Sequence, residues 1–211
     1  MSLFEEIGAL SPVQFFGLCA DCQYSKRTLK PDKAFLLPST SDLLGEEAFA
    51  DLYFSWDETK LSCFIVCKVL GAPSGDDYRK TDSLELFIDT RDLKTKGVVS
   101  RFCHHFVFSP HQIQNFHGRE VTRFRGEDIH RLCHPEDLHV EPKITDSSYR
   151  ILIEIPSKCL YGYDPVGFPR LGFTYRINRS KGFPQHFAVS SEEYVIEQHP
   201  ATWGTLKLVK D

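Results

Sequence analysis

Residues 82 to 92 read D-S-L-E-L-F-I-D-T-R-D, and this alternation constrains the fold more than any other stretch of the chain. Leu84, Leu86 and Ile88 fall on one face at a period of two, while Ser83, Glu85, Phe87 and Asp89 fall on the other. Asp89-Thr90-Arg91-Asp92 is turn chemistry, so the pattern predicts a half-buried strand. Its second face carries a carboxylate and an aromatic ring. Such a face is polar enough to meet water and apolar enough to meet a ligand.

The same period recurs on both sides. Leu52, Phe54 and Trp56 alternate with Asp51, Tyr53 and Ser55, then Asp57-Glu58-Thr59-Lys60 turns the chain. Cys63, Ile65, Cys67 and Val69 line one face of the next strand, so residues 51–70 are expected to form a β-hairpin. A polar loop, G-A-P-S-G-D-D-Y-R-K, leads from Gly71 to Lys80. Beyond a basic segment with Lys94 and Lys96, Phe102, His104, Phe106 and Phe108 share one face, and Cys103, His105 and Val107 the other. Residues 110–147 are polar and His-rich, with hairpin excursions and one short helical turn expected near Glu127–Leu132. Tyr149, Ile151, Ile153 and Ile155 alternate up to Pro156, and a long connection follows to Arg170. Phe173, Tyr175 and Ile177 then alternate with Thr174, Arg176 and Asn178, and Gly204, Leu206 and Leu208 with Thr205 and Lys207. Residues 1–50 are the least regular. Pro12, Pro31 and Pro38 interrupt them, and the apolar patch Phe15-Phe16-Gly17-Leu18 reads equally as strand or helix.

Short strands divided by turn signals, without helices between them, predict an all-β chain folded as one antiparallel β-sandwich with long loops. The 211 residues suit a single domain of that kind, and 17 Phe against one Met lean towards sheet. A formal charge of −4 gives no general attraction to nucleic acid or an anionic membrane, so neither is expected as a partner. Arg119, Arg123 and Arg125, interleaved with Phe124, do not reverse that expectation, because no nucleic-acid-binding fold motif accompanies them. No apolar run approaches the ~20 residues that span a bilayer.

The first residues, M-S-L-F-E-E, lack the basic start and long apolar core of a secretory signal, so a cytoplasmic protein with reduced thiols is expected. The seven cysteines, an odd number, cannot all pair within the chain. Cys19-Ala20-Asp21-Cys22 is a C-x-x-C pair without a second pair at zinc-ribbon spacing, and reads as structural. His130, Cys133 and His134 would share a face on a helical turn and suit zinc there, but Pro135 follows at once, so surface imidazoles are expected and metal binding is left open. Catalytic signatures are missing: there is no G-x-S-x-G elbow, P-loop or dinucleotide fingerprint. Glu85 with Glu154 or Glu197 could make the two-carboxylate pair of a glycosidase, but a chain rich in acids offers such pairs by chance. A non-catalytic protein is expected.

Four pieces then line up in order: the Trp56-Asp57 hairpin, the D-S-L-E-L-F-I-D strand, G-F-T-Y-R-I-N at 172–178 and H-P-A-T-W-G-T-L-K-L at 199–208. Together they resemble the family-9 carbohydrate-binding modules over residues 45–211, with residues 1–44 as a segment packing on or leading into that domain. The resemblance implies an antiparallel β-sandwich, often with structural calcium, that binds sugar chain ends or short saccharides. It implies a binding carboxylate at Glu85, able to accept two hydroxyl hydrogen bonds. In such modules two Trp rings clamp the sugar. Those positions fall near Arg79, beside Tyr78, and near Glu197, and neither is Trp here. Trp56 and Trp203 read as structural. The candidate ligand-binding residues are Glu85, Tyr78, Arg79, Arg176, Asn178 and Glu197, with Tyr78 and either Phe87 or Tyr194 as the available rings. The expected function is a carbohydrate-binding module for a saccharide or polyol. The alternative is a protein-interaction or structural β-sandwich that lost the sugar clamp.

Overall fold

Every alternating segment named above is a strand in the computed structural model, which describes residues 17–71, 75–94 and 97–210. The strands are β1 (Cys19–Tyr24), β2 (Ala50–Trp56), β3 (Lys60–Cys67), β4 (Ser83–Asp89), β5 (Cys103–Ile113), β6 (Phe116–Glu120), β7 (His139–Ile144), β8 (Tyr149–Pro156), β9 (Arg170–Asn178), β10 (Gln185–His186) and β11 (Gly204–Val209). Phe15 and Phe16 of the apolar patch, residues 72–74 of the polar loop and Lys96 lie outside the described residues. No helix among the described residues is long and apolar enough to cross a membrane.

Hydrogen bonding runs in the order β6-β5-β4-β9-β11-β1-β2-β3-β8-β7, with β10 attached to β9. The path folds back on itself into two layers. Phe54 of β2 meets Phe173 of β9 ring to ring at 5.0 Å across the interior. The sandwich closes at Gly118 of β6, where an added Cβ would lie 2.6 Å from the Phe108 ring and 2.9 Å from Val140 of β7. All ladders are antiparallel except those of β1, which runs parallel to β11 from Cys19 to Gln23 and to β2 at Gln23 and Tyr24. Residues 19–24 therefore join the two layers in one hydrogen-bonded path.

Leu84, Leu86 and Ile88 are fully buried in the inter-layer core with Phe106, Phe108, Ile153 and Phe173. Burying side chains of this size contributes roughly 1.5–3 kcal/mol each. The β5–β6 hairpin turns on Gln114 and Asn115, both at positive φ (51° and 71°), the pairing a two-residue type I′ turn requires. The helical turn expected near Glu127–Leu132 is absent. A 3₁₀ turn forms instead at Pro135–Asp137, where Pro supplies the fixed φ of a first helical residue.

Candidate functional site

Strand β4 lies between β5 and β9, and register decides which side chains meet on its outer face. Glu85 stands opposite Arg176 of β9, and Ser83 opposite Asn178. Phe87 stands opposite His105 of β5. The expectation that this face meets water is corrected: all seven residues of β4 are buried. Val99, Val189, Ile196 and Trp203 pack over Phe87 as a second apolar cluster, with Phe124 and Tyr194 at its margin. Connections that looked like plain loops in the sequence form this cover.

Beneath that cover Glu85 is the centre of a polar network. Its Oε1 accepts from Arg176 Nε at 2.6 Å and from Asn178 Nδ2 at 2.7 Å. Its Oε2 accepts from Arg176 Nη2 at 2.9 Å and lies 2.8 Å from His105 Nε2. Two carboxylate oxygens offer about four acceptor sites, so Glu85 is saturated. Burial by itself would raise its pKa, but the His105 and Arg176 hydrogen bonds and charges outweigh it and hold the carboxyl down at about 2. Burial would likewise lower the Arg176 pKa, and Glu85 and Glu197 reverse that and keep the guanidinium charged.

Arg176 carries the network outward. Its Nη2 also donates to Glu197 Oε1 at 2.7 Å, and the same oxygen accepts from Arg79 Nη2 at 2.8 Å. Despite partial burial, Arg176 and Arg79 pull the Glu197 pKa below the ordinary carboxylate value. The Arg79 guanidinium sits 5.7 Å from the Tyr78 ring centroid, and burial followed by the Glu85 charge raises the Tyr78 pKa. The Tyr78 carbonyl accepts from the Ser83 hydroxyl at 2.5 Å, tying the loop to β4.

A cleft of about 350 Å³ opens above this network. Tyr78, Arg79, His105 and Glu197 form part of its lining, and Arg123 and Arg125 another part. All six candidate residues thus belong to one connected group: Tyr78, Arg79 and Glu197 face the cleft, and Glu85, Arg176 and Asn178 stand behind it. His105, Arg123 and Arg125 are lining residues that sequence reasoning did not place here. The available signal was parity, since His105 shares the outer face of its strand with Cys103 and Val107.

The aromatic residues divide differently. Phe87 is fully buried and stacks on His105 at 4.2 Å, so the expectation of Phe87 as an available ring for a ligand is corrected. Tyr194 packs on the same cluster. Trp203 is 1% exposed, with its Nε1 donating to Ile196 O at 2.8 Å, and Trp56 donates to Val209 O at 3.2 Å; both are structural, as read.

A second buried group joins His104, Glu120 and His130, whose candidate ligand atoms lie within 4.8 Å of one another. Glu120 Oε1 lies 2.9 Å from His104 Nδ1 and 2.8 Å from His130 Nε2, while Oε2 accepts from the Cys133 amide at 2.6 Å. It is the one such group among the described residues. With two imidazoles and one carboxylate it is not the all-oxygen donor set of calcium, so the calcium implied by the resemblance finds no fitting site there. The His130–Cys133–His134 face left open for zinc does not form: His130 is buried rather than the surface imidazole expected, His134 is exposed, and Cys133 is disulfide-bonded to Cys159 at a Cα separation of 4.8 Å. That bond also corrects the expectation of wholly reduced thiols. Cys19 is exposed and Cys22 buried, on opposite faces of β1, so the C-x-x-C pair cannot chelate one ion. The carboxylates named for a glycosidase pair are each held by a cation. Glu154 is ion-paired to Lys60 on β3, and the Arg176 guanidinium bridges Glu85 and Glu197.

No protein-family model matches the sequence, and neither does any curated protein. Solved structures do match. A family-9 carbohydrate-binding module from Caldicellulosiruptor kristjanssonii in complex with glucose superposes with a TM-score of 0.64 at 15% identity, covering 92% of this chain and 96% of that one. The same organism's module in complex with cellotriose gives 0.62 at 15% identity, over 92% and 94%. A candidate carbohydrate-binding protein from Bacteroides uniformis gives 0.54 at 12% identity, over 92% and 100%. At such identities the likeness is one of fold, and the chain has the β-sandwich fold of the family-9 carbohydrate-binding modules.

Proposed function

We propose that this protein is a carbohydrate-binding module whose ligand, a saccharide or polyol, enters the cleft over Tyr78. The observation that carries the reading is convergence. Three separated segments, 78–85, 176–178 and 197, supply one hydrogen-bonded network beneath one cleft. The fold shared with modules solved with glucose and cellotriose adds support.

The division of labour follows from burial. Tyr78 offers an apolar ring face to sugar C–H groups. Arg79, His105 and Glu197 present polar groups to hydroxyls. Glu85 does not touch the ligand in this reading, because its acceptor sites are filled. It positions Arg176 and His105, which fix the cleft wall.

Calorimetric titration with mono- and disaccharides tests this. Saturable binding that Tyr78→Ala or Arg79→Ala weakens about tenfold, with the melting temperature unchanged, is the expected result. If no sugar binds and a protein partner is retained in pull-down, the chain is the interaction β-sandwich that its missing Trp clamp would allow.

A further inference from the structure

The walls of the cleft carry charge opposite to that of the whole chain. The protein has a formal charge of −4, yet Arg79, Arg123 and Arg125 line the cleft against a single carboxylate, Glu197. That carboxylate is already paired, its Oε1 accepting from both Arg79 and Arg176. Behind it, Arg176 and Glu85 neutralise each other. Arg125 donates to the neutral amide of Gln198, and among the described residues no carboxylate pairs with Arg123 or Arg125. The groove along residues 24–35 shares this balance, with Lys26, Arg27 and Lys30 against Asp32, but there no cleft joins the network at Glu85. The hollow of about 410 Å³ near Arg179 has Glu46, Glu47 and Glu192 in its walls, the reverse balance.

Guanidinium groups left without anions in a half-enclosed cleft favour an anionic ligand, because low-dielectric walls strengthen the field between them. Their paired N–H groups match carboxylate, sulfate and phosphate oxygens in a two-point geometry. We propose that the cleft takes a saccharide bearing such an anionic substituent, with its ring on Tyr78 and its charged group on Arg123 and Arg125. The inference rests on the carbohydrate-binding reading above and specifies the ligand class.

The test compares matched ligands by calorimetry on the full chain: glucose, glucuronic acid, glucose 6-sulfate, glucose 6-phosphate, inorganic sulfate and inorganic phosphate. At least one anionic sugar should bind roughly tenfold or more tightly than glucose, and weaken as salt is raised. The double variant R123Q/R125Q should bring the ratio of anionic-sugar to glucose affinity close to one while keeping its melting temperature, since both side chains are exposed. Equal affinity for glucose and every anionic sugar overturns the anionic preference and leaves carbohydrate binding standing. Inorganic anions binding as tightly as the anionic sugars overturn the sugar component of both readings. Silence from all six ligands overturns both together.

Discussion

Glu85 and Arg176 are register partners on neighbouring strands, joined side chain to side chain by hydrogen bonds of 2.6 and 2.9 Å. Neither group reaches bulk solvent freely, so each stabilises the other as an ion, alongside His105 on Glu85 and Glu197 on Arg176. Removing one partner of such a pair typically costs roughly 3–5 kcal/mol, because the survivor stays buried and uncompensated. Glu197 still holds Arg176, so Glu85→Gln should fall near the lower end, about 3 kcal/mol. Urea unfolding should show a lower midpoint with an unchanged slope. A loss below about 1 kcal/mol would mean the pair behaves as a surface ion pair.

Acid should destabilise the protein in two stages. Burial, opposed by Glu120, holds the His104 pKa below its ordinary 6.5, so on acidification the unfolded chain takes up this proton before the fold does. That contribution is present above about 6.5 and fades as pH falls below it. Glu85 and Glu120 are each lowered from 4.5 to about 2, Glu120 because His104 and His130 outweigh its burial. Their contributions, on the order of 3 kcal/mol apiece, are present above about 4.5 and lost towards pH 2. Unfolding midpoints at pH 7.5, 5.5, 4 and 3 check this, and a flat series contradicts it.

Cysteine chemistry gives a count. With Cys133 and Cys159 bonded, the denatured, unreduced protein should titrate five thiols, and seven after reduction. Closing a loop across 26 residues stabilises by roughly 3 kcal/mol, so reduction should lower the unfolding midpoint. Seven thiols before reduction would show that the bond does not form in the protein as prepared.

Gly118 leaves no room for a side chain between its ladder neighbour Phe108 and Val140 of β7. Gly118→Ala would bring a methyl within 2.6 Å of the Phe108 ring and 2.9 Å of Val140. Overpacking of this kind costs about 1–3 kcal/mol, read as a fall in melting temperature. A neutral outcome would show that the β6–β7 edges separate easily.

Strands were legible wherever one side of the sheet was consistently apolar, as at Leu84-Leu86-Ile88 and Ile151-Ile153-Ile155. The strand at 19–24 was hidden because C-A-D-C-Q-Y offers only Ala20 and Cys22 as small inward residues, and its ladder partners lie far away in the chain. Alternation also predicted an outer face for Glu85 and Phe87 without saying what covers it. The cover comes from Val99, Ile196 and Trp203, on connections with no period to read. For the same reason the six candidate positions could be named from β4 and its resemblance, while Arg123 and Arg125 looked like a generic basic stretch. Neighbourhood between β4 and β5 is what brings His105 to Glu85, and a single sequence does not state strand order.

The seam at β1 bears on how the molecule is made. Its longer ladder joins Cys19–Gln23 to Thr205–Val209, near the far end of the chain. Closing so long a loop is entropically slow, and synthesis delivers the N-terminal partner first. The hairpins β2–β3 and β5–β6 can form as they emerge from the ribosome, whereas β1 must stay unpaired on one side until β11 arrives. During that interval it is an exposed edge carrying Cys19 and Cys22, open to chaperones, oxidation or pairing with another nascent chain.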